Sequence, residues 1–518
     1  MEQGVPLWIY RRPMAPPTIK PRLRRVLDLM VASAREESGR HEYDGQLQDL
    51  SDTGVRQSVA ALGGEPLADG HDDRHLTTFE AWHRVRFAEM HEHRVNPLVH
   101  LANLELACYD RSYAPEEERM VAKRRHLKQW PDAVDMAISS LDQVPGPVAT
   151  ALTDAVAGLA TDVPADWPEA DAALAAHARF VAHVRMLAQS GPPDTAIGEA
   201  NLARLMSAAE GVDVDLAELR ERARQEGSRL QNLLDESCQR LDPAASTQET
   251  VASLLRDHPT SQELISDAAV LTDEVIRWTA ERSLAPHLDG ECVVGESPPS
   301  RRWATAMLSW AAPGDPDSPS NYDITPPDEA WPVAEQNDWL SMFNRTSMQA
   351  ITVHEVAPGH FAHGRSLRHL TSPVRQTLIG GAFTEGWAHY AEEMVFDEGF
   401  HADDPRYAIG MCLEALCRLT RLTCAIALHS GEIDVAEATR RFQEQAYLSQ
   451  PVALSEARRG TFDPGYGMYT WGKWEILKVR EKARVAWGAE FTLPRFHAAL
   501  MTLGAPPLGL LESALTRP

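Results

Sequence analysis

The chain has 518 residues, 43% hydrophobic and 24% charged, proportions of a globular protein with room for one large core or two to three domains. Its 50 Lys and Arg against 75 Asp and Glu give a net charge of −25, a field that repels phosphate backbones and argues against a nucleic-acid partner. No segment approaches about 18 consecutive apolar residues, so neither a membrane span nor a membrane partner is predicted. The opening stretch, residues 1–20, lacks the apolar run of a secretory signal. The six cysteines form no CxxC pair, which excludes a cysteine zinc knuckle and suits a reducing compartment. Cys417 and Cys424, seven apart, read as small buried hydrophobes on one helical face. A cytoplasmic protein is expected, of unspecified oligomeric state.

In chain order, the first half is rich in Ala, Leu, Glu and Arg, strong helix formers. Amphipathic spacing predicts helices over 79–109, 116–130, 169–189, 213–240 and 259–283. The fourth is the clearest: Leu216, Leu219, Ala223, Leu230 and Leu234 recur at helical spacing, and Asp213 or Asp215 can cap it. The segment beginning at Pro115 opens with three acids, which suits a helix N-terminus. Residues 284–334 are rich in Pro, Gly, Asp and Ser, with a strand expected in RRWATAMLSWAAP, residues 301–313. Helices resume near 336 and run to 430, followed by a pair over 434–448 and 470–486. The expected fold is therefore mostly α, with a small β element before the motif region. The expected division is an N-terminal helical region, 1–283, and a catalytic region, 284–518, with one continuous domain as the alternative.

The chemistry is concentrated in ITVHEVAPGHFAHGRSLRHL, residues 351–370. The HExxH motif of zinc hydrolases places two histidines one turn apart, with the intervening Glu as general base toward water. Here His354 and His360 are six apart, about 120° out of phase on an ideal helix. Pro358 cannot donate to the carbonyl of His354 and Gly359 tolerates unusual dihedrals, so a two-residue bulge there is expected to bring the histidines together. Glu355 is then the base. In GGAFTEGWAHYAEEM, residues 380–394, Glu385 can supply a third ligand. His389 and Glu392, four and seven residues further on, share its helical face, and Glu392 is placed to hydrogen-bond a ligand from behind. Two His and one Glu with an open position are typical of catalytic zinc, one ion per chain. His363, three residues after His360, is a competing ligand.

The second segment resembles the NEGFAxYxE stretch of gluzincin aminopeptidases, whose first Glu binds zinc. HEVAPGH followed by FTEGWAHYAE is more closely similar to a bacterial HExxPGH family known as domain of unknown function 885. The resemblance extends to RVNPLVHL (94–101), RLTRLTCAIALHSGEIDVAEA, DPGYGMYTWGKWEILKVREKA and FHAALMTLGAPPLGLLE, and so covers roughly residues 80–515. It implies a large helical zincin-like metallo-hydrolase. It also implies Tyr469 as a donor to the oxyanion, with Tyr466 close by and His429 as a second candidate. Arg421 and Lys473 are candidates for a substrate carboxylate. Where the family pattern has Asp, this chain has Ala425, which puts its specificity in doubt. The RWATAMLSW stretch, with Trp303 and Trp310, is expected to align an extended substrate beside the motif helix.

The leading expectation is a zinc-dependent metallopeptidase or amidohydrolase acting on a small peptide or peptide-like amide in a deep cleft. Its rivals are a biosynthetic tailoring enzyme on the same metal scaffold, a non-haem Fe(II) oxygenase using the same two His and one carboxylate, and a vestigial, non-catalytic site. An oxygenase has no obvious use for Glu355, and a vestigial protein should have lost a ligand or the base.

Overall fold

The computed structural model describes residues 19–302, 304–315 and 317–516. The reading of the first 18 residues and of Trp303 falls outside them. The molecule is mostly helical. The expected helices appear as Glu116–Leu127, Ala170–Ser190, Leu216–Leu241, Leu264–Glu281, Val435–Ala446 and Met468–Trp487. In Leu216–Leu241 the Asp215 side chain accepts from the Ala217 and Glu218 amides, and Leu216, Leu219, Ala223, Leu230 and Leu234 are buried. Glu116–Leu127 carries three acids in its first turn and Arg124, Arg125 and His126 in its last, matching both ends of its dipole.

The stretch 79–109 is not one helix. Gly70–His83 passes into a wider turn, Arg84–Glu89, and two short helices follow, Glu92–Val95 and Pro97–Leu104. His91 adopts φ 52° and Asn96 is extended, as the residue before a proline tends to be. The Asn96 side chain then caps the new helix at Leu98. Further helices, such as Trp130–Ser140, Gly146–Gly158 and Glu199–Glu210, lie in segments the periodicity did not single out.

The β element is a three-stranded sheet of β1 (Cys292–Glu296), β2 (Ala306–Ser309) and β3 (Ser320–Ile324), in the order β1-β3-β2. β3 pairs parallel with β1 and antiparallel with β2, with Leu308 opposite Tyr322. Only β2 had a legible sequence signal. Trp310, just after it, is buried and donates its indole N–H to the Glu37 carbonyl at 3.0 Å.

The largest apolar cluster runs from Leu202 to Ala514 and continues across residue 284. A second spans Leu101–Leu187, and a third joins residues 23–99 to Val374 and Leu378. Residues of all three line a single cavity of about 1220 Å³, with Phe343 and Leu413 from the first, Leu152 from the second and Leu29 from the third. Among the described residues no helix is long and apolar enough to cross a membrane.

Candidate metal centre

The helix Ser347–Glu355 ends at the motif, and a second helix, His360–Arg368, begins at the second histidine. The expected bulge is thus a full break between two helices. Gly359 shows why. A Cβ there would lie 1.9 Å from the His354 carbonyl oxygen and 2.4 Å from that of Val353, so the chain can fold back over the end of the first helix only at a glycine. Pro358 has no N–H to lose, its peptide bond with Ala357 is cis, and its carbonyl accepts the Trp387 indole N–H at 2.8 Å. The turn sets the His354 and His360 rings 4.7 Å apart at 86°.

Glu385 arrives from the helix Gly381–Asp397. Its Oε2 lies 3.4 Å from Nε2 of His354 and 3.3 Å from Nε2 of His360. The three ligand-type atoms lie within 4.8 Å of one another. Burial would push the Glu385 carboxyl up, but His360 and His354 hold it well below the usual carboxylate range, so it stays ionised. Burial works against a charged His354, yet Glu385 and Glu392 overcome it and push the imidazole up to about 9.

Behind His354 lies Glu392, fully buried, with Oε1 2.6 Å from Nδ1 of His354. That bond holds a proton on Nδ1 and leaves Nε2 as the ring atom that faces Glu385, free to act as a ligand once its own proton is displaced. Glu392 also accepts from Nδ1 of His389 at 3.2 Å and lies 3.2 Å from Arg418. Burial raises its pKa, but Arg418, His389 and His354 together lower it below its ordinary value. Arg418 is tied in turn to Glu414 at 3.1 Å. His389 is therefore a support one layer behind the ligands, and burial and Lys473 push its pKa down to about 4.

Glu355 lines the cavity beside His354, and its Oε2 is buried with no hydrogen-bond partner among the described residues. Two imidazole nitrogens, a carboxylate and an adjacent unengaged carboxylate form a donor set that fits a divalent ion of the zinc type. Tyr469 also lines the cavity, its ring stacked on His354 at 6.1 Å. It is brought there by two glycines: a Cβ on Gly386 would lie 2.5 Å from the Gly472 backbone, so Gly381–Asp397 and Met468–Trp487 pack in direct backbone contact. Burial pushes the Tyr469 hydroxyl pKa up, which keeps it a donor.

Several expected residues lie elsewhere. His429, at the far end of the helix Pro405–His429, is 1% exposed, bonds the Gly460 carbonyl at 2.8 Å and does not line the cavity. It follows Arg421 by eight residues, roughly 12 Å along a helix. Lys473 is buried against Glu393 and Glu226, also off the cavity. Arg421 does line it, but its Nε and Nη2 are both bound to Glu456 at 2.7 Å. His363 is fully buried, with Nε2 3.2 Å from the Gly504 carbonyl. Tyr466 and Ala425 sit in a small apolar cluster beside the cavity and do not themselves line it. The residues that sequence reading missed are Arg418 and Glu414, which share a face with Arg421 at helical spacing, and the arginines 458 and 459.

No curated protein matches the chain. Two solved structures share its fold. A protein from Shewanella oneidensis, described as "a putative lipoprotein of unknown function", has 18% identity and a TM-score of 0.72, over 95% of this chain and 97% of that one. A protein from Colwellia psychrerythraea, described as a "putative lipoprotein", has 16% identity and a TM-score of 0.74, over 96% of this chain and 99% of that one. The family model described as "Bacterial protein of unknown function (DUF885)" matches residues 33–515, and the chain belongs to that family.

Proposed function

We propose that the protein is a zinc-dependent hydrolase that cleaves an amide bond in a small peptide or peptide-like substrate, on a zincin-like scaffold. The observation that carries this reading is the convergence of His354, His360 and Glu385 at a cavity wall, with the unpartnered oxygen of Glu355 beside them. His354, His360 and Glu385 would hold the ion. When bound, it supplies positive charge that polarises a carbonyl and acidifies water. Glu355 takes the proton of the attacking water and passes it to the leaving amine. Tyr469 donates a hydrogen bond to the oxygen on which negative charge develops. Glu392, braced by Arg418, keeps His354 in its ligand tautomer.

A cavity of about 1220 Å³ admits a short chain segment, which favours short substrates over folded proteins. β2 lines it from the sheet edge. The Thr325 amide donates to the Thr305 carbonyl at 2.8 Å, and antiparallel alternation then turns the N–H and C=O groups of Ala306 and Leu308 away from β3. An extended substrate can pair with them. A cytoplasmic setting is supported by the six free cysteines.

The test is Glu355→Gln. The variant should keep the metal content of the wild type and lose about 10²–10⁴ in kcat on a peptide or amide substrate. Iron in place of zinc, or turnover that survives the substitution, would overturn the reading.

A further inference from the structure

The cavity's lysine-or-arginine cations are all arginines, and most are already engaged. Arg301 and Arg111 are held by Glu36, and Arg301 also by Glu105. Arg418 is held by Glu392 and Glu414, and Arg421 by both oxygens of Glu456. Arg86 pairs with Glu92 and Arg302 with Glu296. Arg35 donates to the Gln46 carbonyl and lies over the Tyr109 ring.

The helix Gln450–Phe462 differs. Arg458 lines the cavity, is exposed, and has no carboxylate within 4.0 Å among the described residues. Arg459 meets one carboxylate oxygen only, Oδ2 of Asp463, through Nε and Nη2 at 3.1 Å each, and its Nη1 donates to nothing among the described residues. Asp154 lines the cavity from Gly146–Gly158 and pairs with neither. Arg35 and Arg418 each keep a buried Nε without a partner among the described residues, but Arg458 and Arg459 are consecutive in the chain, and both have donors to spare.

The wall is also close to the reacting centre. Nη2 of Arg459 lies 3.4 Å from the Tyr469 hydroxyl, and the Tyr469 ring stacks on His354. An extended chain advances about 3.3–3.6 Å per residue, so a group held by Arg459 sits within a few residues of a bond placed at the metal centre. Guanidinium groups with free donors match a carboxylate, the one anion common to peptides and peptide-like amides.

We infer that Arg458 and Arg459 form a subsite for a substrate carboxylate, so that preferred substrates carry a free carboxylate within a few residues of the scissile amide. The carboxylate accepts from Arg458 and from Nη1 of Arg459, and Tyr469 stays free to donate to the scissile carbonyl oxygen. The inference takes its scissile bond from the function proposed above, while the binding of the anion stands apart from catalysis.

The test uses the zinc-loaded full chain carrying Glu355→Gln, which removes turnover. The probes are a mixture of N-acetyl dipeptides as free acids and the same mixture as C-terminal amides, with binding read by retention in ultrafiltration and mass spectrometry. The acids should be retained over the amides. Adding Arg458→Gln or Arg459→Gln should each weaken acid binding about tenfold or more and leave the amides unchanged, since each removes a charge-assisted hydrogen bond. Arg458 is exposed, so its variant should keep the parent melting temperature, and Arg459→Lys should recover part of the preference. Equal retention of both mixtures, retention of neither, or an acid preference that survives both substitutions would overturn the subsite. The last outcome would mean that the ion alone captures the carboxylate. Cleavage of the same mixtures by the wild type reports separately on hydrolysis: acid-selective binding without any cleavage would sink the hydrolase reading and leave the subsite standing.

Discussion

Among the described residues two trios of side chains meet the distance requirement for holding an ion: His354, His360 and Glu385 in the interior, and His287, Asp289 and His369 toward the surface. They differ in everything that distance does not measure. In the interior the two rings cross at 86° and both present Nε2 to the same carboxylate oxygen, so their in-plane lone pairs converge. At the surface the rings of His287 and His369 stack at 3.7 Å and 11°, and lone pairs in parallel planes cannot meet at one point. His354 is fixed from behind by buried Glu392. Nε2 of His369 is taken up by Asp289 itself, whose other oxygen lies 3.7 Å from Arg368. Donors can come close by accident of the surface, whereas orientation and support have to be built.

The largest expected effect tests that contrast directly. Wild-type protein should carry about one zinc per chain, and His354→Ala or Glu385→Ala should reduce it to near zero, because a three-ligand site does not survive the loss of one donor. His369→Ala should leave the content unchanged. Elemental analysis of the purified variants decides it, and a wild type without metal would remove the distinction between the trios.

How far the interior trio was legible shows in its parts. His354, Glu355, His360 and Glu385 stand in compact motifs, and residue spacing plus a Pro-Gly break sufficed to bring them together. Glu392 followed from helical periodicity, seven residues after Glu385. The charge pairings around the trio were not legible in the same way. Nothing local in the sequence says that Lys473 meets Glu393 or that Arg421 is consumed by Glu456, since those pairings join residues 80 and 35 positions apart. His429 failed for a simpler reason: its helix continues past the cavity. The fold divides likewise. Long helices with one apolar stripe could be read, whereas the broken stretch 79–109 and strands β1 and β3 depend on turns and partners that periodicity does not encode.

The next effect in size concerns the turn that orients the rings. Gly359→Ala would force a Cβ into the His354 and Val353 carbonyls, so the break between the two helices must shift. A loss of several kcal/mol of stability is expected, together with weaker metal binding. Thermal denaturation with and without added zinc measures both. An unchanged melting temperature would show that the backbone relaxes there at little cost, and that the crossing of the rings is less tightly imposed than the geometry implies.

Smaller still is the effect of the support. Glu392→Gln keeps the shape and removes the charge that accepts from His354 and His389. Metal affinity should fall about 10–100-fold, the usual consequence of losing a carboxylate behind a histidine ligand. Competition against a chelator of known affinity reads it. A wild-type affinity in this variant would make Glu392 a partner of Arg418 and nothing more.

The smallest expected effect belongs to the surface trio. The double substitution His287→Ala and His369→Ala removes exposed or half-exposed side chains that contact each other and, through His369, Asp289. Stability should change by no more than about 0.5 kcal/mol, and titrated zinc should still saturate at about one ion per chain. This null result has weight because both rings are accessible enough to rotate. If rotation were cheap, an added ion would pull the stacked rings into a converging arrangement and a second equivalent would bind in the wild type and vanish in the double variant. That outcome would show proximity to be sufficient. Saturation at one ion in both proteins would instead mean that the interior site owes its ion to the Gly359 turn and the Glu392 brace as much as to its three ligands.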